Sequence, residues 1–239
     1  YVPLPTSSML TAAEARFLLD DSGAQAIAMA HGLELEALPN GVRVIEAAEI
    51  AQVIANGKTI PYADTASDDP AFLIYTSGTT ANPKGVLHAQ RSAFGRRPMY
   101  EGWYGITPDD RMLHAGAFNW TYTLGTGLTD PWANGATSII YTGEKDPALW
   151  PRLIAQTGAT LFAAVPGLYR QILKYAAPTR SDLGALRHGL MAGETPPPGQ
   201  FEDWSAQTGT ERYVACLLDT SVAAYDLWLV GCDWSPDHL

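Results

Sequence analysis

Short apolar runs alternate with amphipathic segments along this chain, and that alternation limits the possible folds more than any other feature. Continuous apolar runs rich in β-branched residues predict strands, and apolar residues at helical spacing predict helices. The predicted strands cover residues 24–30, 42–45, 71–77, 136–141, 160–165 and 186–191. The predicted helices cover residues 46–57, 146–158, 167–176 and 199–207, with one more after Thr11. This order predicts an α/β fold with mostly parallel sheets and helices on both faces.

The helix after Thr11 has a clear start and end in the sequence. Thr11 and Glu14 have the spacing of a capping box, in which each side chain accepts a backbone N–H bond from the other residue. Leu18 and Leu19 follow at helical spacing, and Gly23 is a typical stop. We expect one apolar face on this helix.

The charge of the chain excludes nucleic-acid binding through bulk electrostatics. The 239 residues carry 15 basic and 25 acidic side chains, which gives a net charge of −10. The acidic excess is uneven, because residues 71–210 hold eleven basic and ten acidic side chains. An anionic ligand therefore meets the least repulsion in this middle part.

Several further classes of protein are excluded by what the sequence lacks. No apolar run reaches the length of about 20 residues that a transmembrane helix needs. Cys216 and Cys232 are too few for a disulfide framework and form no CxxC pair, and the five histidines lack metal-ligand spacing. We therefore assign no metal-binding residue and expect a cytoplasmic protein, while the oligomeric state stays open.

The segment from Tyr75 to Gly85, YTSGTTANPKG, is the part of the sequence most suited to chemistry. It follows a predicted strand and combines four Ser and Thr hydroxyls, two glycines and the cation of Lys84. Backbone N–H groups and hydroxyls in such a loop can surround a phosphate chain. We expect this loop to leave the end of a parallel strand. It is not a Walker A loop, because Lys84 follows a proline and no Gly-Lys-Ser/Thr sequence is present.

This segment resembles the phosphate-binding signature of the adenylate-forming superfamily, which includes acyl-CoA synthetases, luciferases and the adenylation domains of peptide synthetases. One residue departs from the pattern, Ala81, where family members usually have Gly. The resemblance extends over residues 1–213, and the subgroup it favours is the medium-chain or benzoate-type acyl-CoA synthetases. The stretches that carry it further are 1–27, 118–137, 165–174 and 186–213.

The resemblance implies ATP, Mg²⁺, coenzyme A and a small carboxylic acid as ligands. In this chemistry a carboxylate attacks the α-phosphorus of ATP, and the acyl-adenylate then reacts with a thiol. The residues implied to hold phosphate are Thr76, Ser77, Gly78, Thr79, Thr80 and Lys84, with Thr80 and Lys84 as the predicted catalytic residues. Those implied to lie against adenine are Gly193 and Glu194. Those implied to line the acyl pocket are Trp120, at its junction with the thiol tunnel, and Tyr122, Val165 and Pro166.

The family pattern breaks after Tyr213. Family members continue into a Tyr-Gly-x-Thr/Ser-Glu motif, whose aromatic residue stacks on adenine and whose Glu helps to hold Mg²⁺. In register, this chain has Cys216, Leu217 and Thr220 at the aromatic, Gly and Glu positions. The metal-ligand motif is therefore not intact.

Three segments follow from this comparison. We expect residues 1–70 to form part of a first α/β subdomain, residues 71–213 the core of the ATP- and acyl-binding subdomain, and residues 214–239 a tail outside the family pattern. The family's C-terminal catalytic domain has no counterpart in these residues, so we interpret the chain as a partial N-terminal domain.

Three functions stay open from the sequence. The first is a fragment of an ATP-dependent carboxylate–CoA ligase that is inactive by itself. The second is an adenylating enzyme of another branch. The third is a non-catalytic protein that binds nucleotide or acyl groups.

Overall fold

The computed structural model describes residues 1–29, 38–76, 83–193 and 200–214. Contacts divide the chain into two compact units, one of residues 6–66 and one of residues 1–5 with 67–239. Within the described ranges, no helix is long and apolar enough to cross a membrane.

The described residues of the smaller unit form two helices and a parallel pair of strands. Its elements are helix α1 (Ala12–Ser22), strand β1 (Ala26–Ala28), strand β2 (Arg43–Ile45) and helix α2 (Ala47–Ala55). The capping box at α1 is confirmed, because the Thr11 side chain accepts from the Glu14 N–H while the Glu14 carboxylate accepts from the Thr11 N–H. Gly23 ends the helix in the left-handed conformation.

The larger unit contains the remaining strands and helices. Its strands are β3 (Pro70–Thr76), β4 (Lys84–Ala89), β5 (Arg111–His114), β6 (Thr137–Ile139), β7 (Leu161–Ala164), β8 (His188–Met191) and β9 (Glu211–Val214). Its α-helices are α3 (Ser92–Gly95), α4 (Thr121–Leu124), α5 (Asp130–Ala133), α6 (Trp150–Thr157), α7 (Pro166–Tyr175) and α8 (Gln200–Thr208). Two π-helical turns, Tyr100–Tyr104 and Gly125–Thr129, and two 3₁₀ turns, Pro147–Leu149 and Arg180–Leu183, complete it.

A five-stranded sheet organises this unit, with strand order β6-β5-β7-β8-β9 and parallel pairing throughout. Alternate residues of its central strand β7 point to opposite faces. Phe162 packs against α6, α7 and α8 in one buried cluster, while Leu161 packs in a second cluster with the π-helical turn at Tyr104. Both faces of the sheet are therefore covered. The predicted α/β class, with parallel strands and helices on both faces, is confirmed.

Strand β3 differs from the prediction, because it pairs with β4 in the antiparallel direction. The expectation that the loop after residue 76 leaves a parallel strand is therefore wrong. Antiparallel neighbours need only a short connection, whereas a parallel crossover needs a dozen residues or more, and residues 77–83 supply the short one. The sequence does not predict strands β4, β5 and β9, because each is short and contains polar residues that interrupt the apolar pattern.

A buried ion pair joins the segment after β4 to the segment after β5. The Arg96 guanidinium binds Asp130 through two nitrogens, Nε to Oδ1 at 2.8 Å and Nη2 to Oδ2 at 2.6 Å. The Tyr104 hydroxyl donates to Asp130 Oδ2 at 2.7 Å and lies 2.8 Å from Thr126 Oγ1. Burial acts to lower the pKa of Arg96, but these partners outweigh it and the pKa is raised.

We expect Asp130→Ala to lower the free energy of unfolding by about 3–5 kcal/mol, because it leaves the Arg96 charge buried without its carboxylate. The matched control is Asp68→Ala, which breaks the exposed pair with Arg91 and is expected to cost less than about 1 kcal/mol. Urea unfolding of both variants measures the difference. Equal losses in the two variants would contradict the role of burial.

Candidate functional site

The predicted phosphate-binding segment closes the hairpin of β3 and β4. Thr76 is the last residue of β3 and pairs directly with Lys84, the first residue of β4. The Lys84 side chain is exposed, so its charge faces solvent at the end of the hairpin. Ser77, Gly78, Thr79 and Thr80 lie outside the described residues, between these two. The structure thus brings Thr76 and Lys84 together at the ends of this segment.

The five-stranded sheet reverses its winding between β5 and β7. From β5 the chain moves to β6 on one side, and then returns to place β7, β8 and β9 on the other side. In open parallel sheets, ligands bind outside the carboxyl ends of the strands at such a switch point. The segments that leave β5 and β7 at this edge are 115–120 and 165–166. They hold three of the predicted pocket residues, Trp120, Val165 and Pro166.

Gly193 lies at the same edge, two residues beyond the end of β8. Its φ of +107° is a backbone conformation that residues other than glycine rarely adopt. A Cβ atom at this position would lie 3.3 Å from Cγ1 of Val165, so glycine keeps the space beside β7 free. Val165 and Gly193 are thus brought together. Glu194, predicted beside Gly193, lies outside the described residues.

Trp120 and Tyr122 occupy different environments at the start of α4. The Trp120 side chain precedes the helix and is 55% exposed. The Tyr122 hydroxyl donates to the carbonyl oxygen of Leu190 in β8 at 3.3 Å, and its ring lies between His114 and Trp103, with centroid distances of 4.5 and 6.1 Å. Burial raises the pKa of Tyr122 well above its usual value. The Tyr122 hydroxyl is therefore engaged, and its half-buried ring packs against other aromatic rings.

The two edges of the sheet differ in how their polar groups are satisfied. At the amino edge, Asp110 accepts from Thr107, Thr160 and Arg187, the last with an Nη2 to Oδ2 distance of 2.7 Å. Burial acts to raise the pKa of Asp110, but these partners lower it overall. At the carboxyl edge, His114 Nε2 and Thr123 Oγ1 are buried without a hydrogen-bond partner in the part of the chain that is described. The same holds for His88 Nε2 in β4 and Trp150 Nε1 in α6, so the position of the site rests on the switch point and not on these groups.

The described ranges contain no group of three His, Cys, Asp or Glu side chains arranged to hold a metal ion. The sequence positions proposed to depart from the family's metal motif, Cys216, Leu217 and Thr220, lie outside those ranges.

Two features near the site could not be predicted from the sequence. The Arg96–Asp130 pair spans 34 residues, and no local pattern links them. His114 has no signal in the sequence, because the five histidines lack metal-ligand spacing, and the structure shows that it ends β5 at the switch point. The glycines at 116, 125 and 127 could have indicated close packing in this region, because each allows a close approach to His114, Thr123 or Arg96.

Comparison with known proteins identifies the family to which the chain belongs. The sequence profile of the AMP-binding enzyme family matches residues 1–217, which is most of the chain. The chain belongs to the AMP-binding enzyme family. This family membership confirms the superfamily that the motif at Tyr75–Gly85 resembles.

The relatives of this AMP-binding protein include aryl-CoA ligases. It is 30% identical over 151 residues to a 3-hydroxybenzoate–CoA ligase of Aromatoleum sp. (strain CIB), covering 63% of this chain and 29% of the relative. It is 28% identical over 224 residues to a benzoate–CoA ligase of Thauera aromatica, covering 88% and 42%. A solved benzoate CoA ligase from Burkholderia xenovorans LB400 has a TM-score of 0.76 and 26% identity, covering 90% and 45%. The chain therefore spans less than half the length of these relatives.

We expect His88→Phe to reduce the pH dependence of stability. His88 in β4 stacks on Phe72 at 4.3 Å, and burial, with a smaller effect of the Arg96 charge, lowers its pKa from 6.5 to about 4. Between these values the unfolded chain binds a proton that the folded chain does not. The free energy of unfolding therefore decreases as the pH is lowered from about 6.5 to about 4, by up to about 1.4 kcal/mol per pH unit. Phenylalanine preserves the stacking and removes this titration.

Urea unfolding at pH 7 and pH 5 measures the effect. Leu87→Phe is the control, because it adds an aromatic ring to the exposed face of the same strand without removing a titrating group. An unchanged pH dependence in His88→Phe would show that His88 is not the group responsible.

Proposed function

We propose that this chain forms the ATP- and carboxylate-binding part of an ATP-dependent carboxylate–CoA ligase. The observation that carries the proposal is the switch point between β5 and β7, where Trp120, Val165 and Gly193 share the carboxyl edge of the sheet. The names of the relatives, benzoate and 3-hydroxybenzoate–CoA ligases, support an aromatic acid as the substrate class. Tyr122 suits a flat aromatic group, because its hydroxyl is bound to the Leu190 carbonyl oxygen and its ring is left for aromatic contacts.

Each residue at the site has a role that its position supports. Lys84 supplies a positive charge at the end of the β3–β4 hairpin, and Thr76 supplies a hydroxyl opposite it. Both groups suit the phosphates of ATP, where charge accumulates during phosphoryl transfer. Gly193 packs closely beside Val165, and the resemblance assigns its backbone, which carries no side chain, to the adenine. Ser77, Gly78, Thr79, Thr80 and Glu194 complete the proposed site as sequence-based assignments.

Bound ATP would supply the activated phosphorus that the substrate carboxylate attacks, with release of pyrophosphate. The exposed Trp120 ring, directly before α4, is accessible to coenzyme A. The thiol of coenzyme A completes the ligase reaction. We derive no step through Mg²⁺, because the described residues offer no grouped ligands for it. A cytoplasmic location accompanies this proposal, on the grounds that Cys216 and Cys232 form no disulfide framework.

A second candidate function is binding of nucleotide or acyl groups without turnover. It is favoured by the family's metal-binding Glu position, where this chain has Thr220, and by the adenine-stacking position, where it has Cys216. Removal of even one group that stabilises a transition state costs about 2.7–4 kcal/mol. Binding is therefore the property that we expect the 239-residue chain to retain.

We expect Lys84→Ala to weaken ATP binding about tenfold, because a charge-assisted contact to phosphate contributes about 1.4 kcal/mol or more. Lys174→Ala is the matched control, since Lys174 lies over the Tyr175 ring in α7, away from the carboxyl edge. Isothermal titration calorimetry with ATP gives both affinities. Wild-type chain that does not bind ATP would overturn the proposed function.

Pyrophosphate release separates the two candidates. We expect no turnover by the 239-residue chain with ATP, Mg²⁺, coenzyme A and benzoate, 3-hydroxybenzoate or octanoate, because the Thr220 position lacks a carboxylate. Sustained release above the level of a Lys84→Ala control would show that the chain is catalytically complete.

A further inference from the structure

The residue that ends β5 makes two contacts at the switch point that the proposed function does not use. His114 Nδ1 accepts a hydrogen bond from the Gly116 N–H at 2.9 Å, which holds the first turn of the segment leaving the strand. The edge of its ring also contacts Tyr122, with the centroids 4.5 Å apart and the planes at 71°. One side chain thus touches both parts of the proposed acyl pocket that follow β5.

The surroundings of His114 are closely packed. A Cβ on Gly127 would lie 2.7 Å from the His114 Cβ, and a Cβ on Gly116 would lie 3.0 Å from its Cε1 and 2.3 Å from Thr123 Oγ1. Only glycine at both positions allows this approach, since real side chains do not reach such distances. The ring is therefore held between the segment after β5 and the helical turn at 125–129.

The protonation of the ring follows from these contacts. Burial, with a smaller effect of the Lys145 charge, lowers the pKa of His114 to about 3, so the ring is neutral at physiological pH. Because Nδ1 accepts from Gly116, the proton resides on Nε2, which is buried without a partner in the described ranges. The interactions that His114 makes are thus the hydrogen bond at Nδ1 and the contact of its ring edge with Tyr122.

We propose that His114 is a positioning residue for the acyl pocket, where it holds the segment 115–120 through Nδ1 and the Tyr122 ring through its own ring. The proposal rests on the proposed function, since it takes the carboxyl edge of the sheet as the acyl site. It predicts that loss of either contact displaces the wall that an aromatic acyl group meets. The contacts of His114 are with Gly116 and Tyr122, so we expect the proposed phosphate-binding residues Thr76 and Lys84 to be unaffected.

Two variants of the full 239-residue chain separate the contacts. His114→Phe keeps an aromatic ring beside Tyr122 but removes the acceptor for Gly116. His114→Asn keeps an acceptor close to the position of Nδ1 but removes the ring. The probes are ATP and the sulfamate analogue of benzoyl-adenylate, both titrated by calorimetry.

We expect each variant to bind the benzoyl analogue about tenfold more weakly, because misplacement of a positioning contact by about 1 Å has effects of this size or larger. ATP affinity is expected to stay within about twofold of wild type, because the phosphate contacts are preserved. The ratio of the two affinities is the decisive readout. A residue that only stabilises the fold would lower both affinities together, through the folded fraction.

His188 provides the matched control. It is also buried and lies in the neighbouring part of the sheet, but at the amino end of β8, where its Nε2 is 2.8 Å from the Tyr104 carbonyl oxygen. His188→Asn is expected to leave the affinity ratio unchanged. Thermal unfolding of every variant reports the folded fraction, and if one His114 variant does not fold, the other decides.

The outcomes distinguish this inference from the proposed function. An unchanged affinity ratio in the folded His114 variants overturns the positioning role alone. Wild-type chain that binds ATP but not the benzoyl analogue contradicts the acyl pocket and with it the role of His114. Wild-type chain that binds neither probe overturns the proposed function as well.

Discussion

Burial of the parallel sheet on both faces is the constraint on which the rest of the larger unit depends. Every residue of β7 is buried, because its alternate side chains enter the two clusters above and below the sheet. A strand covered in this way has no free face, which is typical of a parallel sheet whose crossover helices form the covering layers, and both neighbours of β7 are parallel. All of the carboxyl ends then meet at one edge. The candidate site is a consequence of this arrangement, because the segments that follow β5 and β7 both leave the sheet at its carboxyl edge.

The buried Arg96–Asp130 pair connects that edge to the rest of the unit. Arg96 follows the β3–β4 hairpin, and Asp130 opens α5 directly after the π-helical turn that packs on His114. An ion pair in a buried setting gains little net stability over an apolar pair, but it is costly to break and accepts few alternative geometries. Its value here is therefore positional: it connects the segment after the β3–β4 hairpin, which holds the proposed phosphate-binding residues, to the segment that carries Tyr122.

Much of the fold class and part of the site could be predicted from the sequence. The capping box at Thr11 and Glu14, the β7 strand and the helix that begins at Pro166 all have local signals, and the structure contains each of them. The direction of β3 could not be predicted correctly, because an apolar strand has the same composition whether its neighbour is parallel or antiparallel. The roles of the site residues stay predictions, although Val165 and Gly193 do lie side by side.

The sequence by itself determined the alternation of strands and helices, the hydroxyl-rich segment before Lys84 and the family resemblance, because periodicity and turn chemistry are local properties. Only the tertiary structure decided which strands pair, where the winding reverses, and that Arg96 meets Asp130 across 34 residues. It also decided that His114 ends a strand at the switch point, whereas His188 begins one at the opposite edge. Such contacts depend on how loops close and how side chains pack in three dimensions, and residues distant in sequence carry no local mark of them.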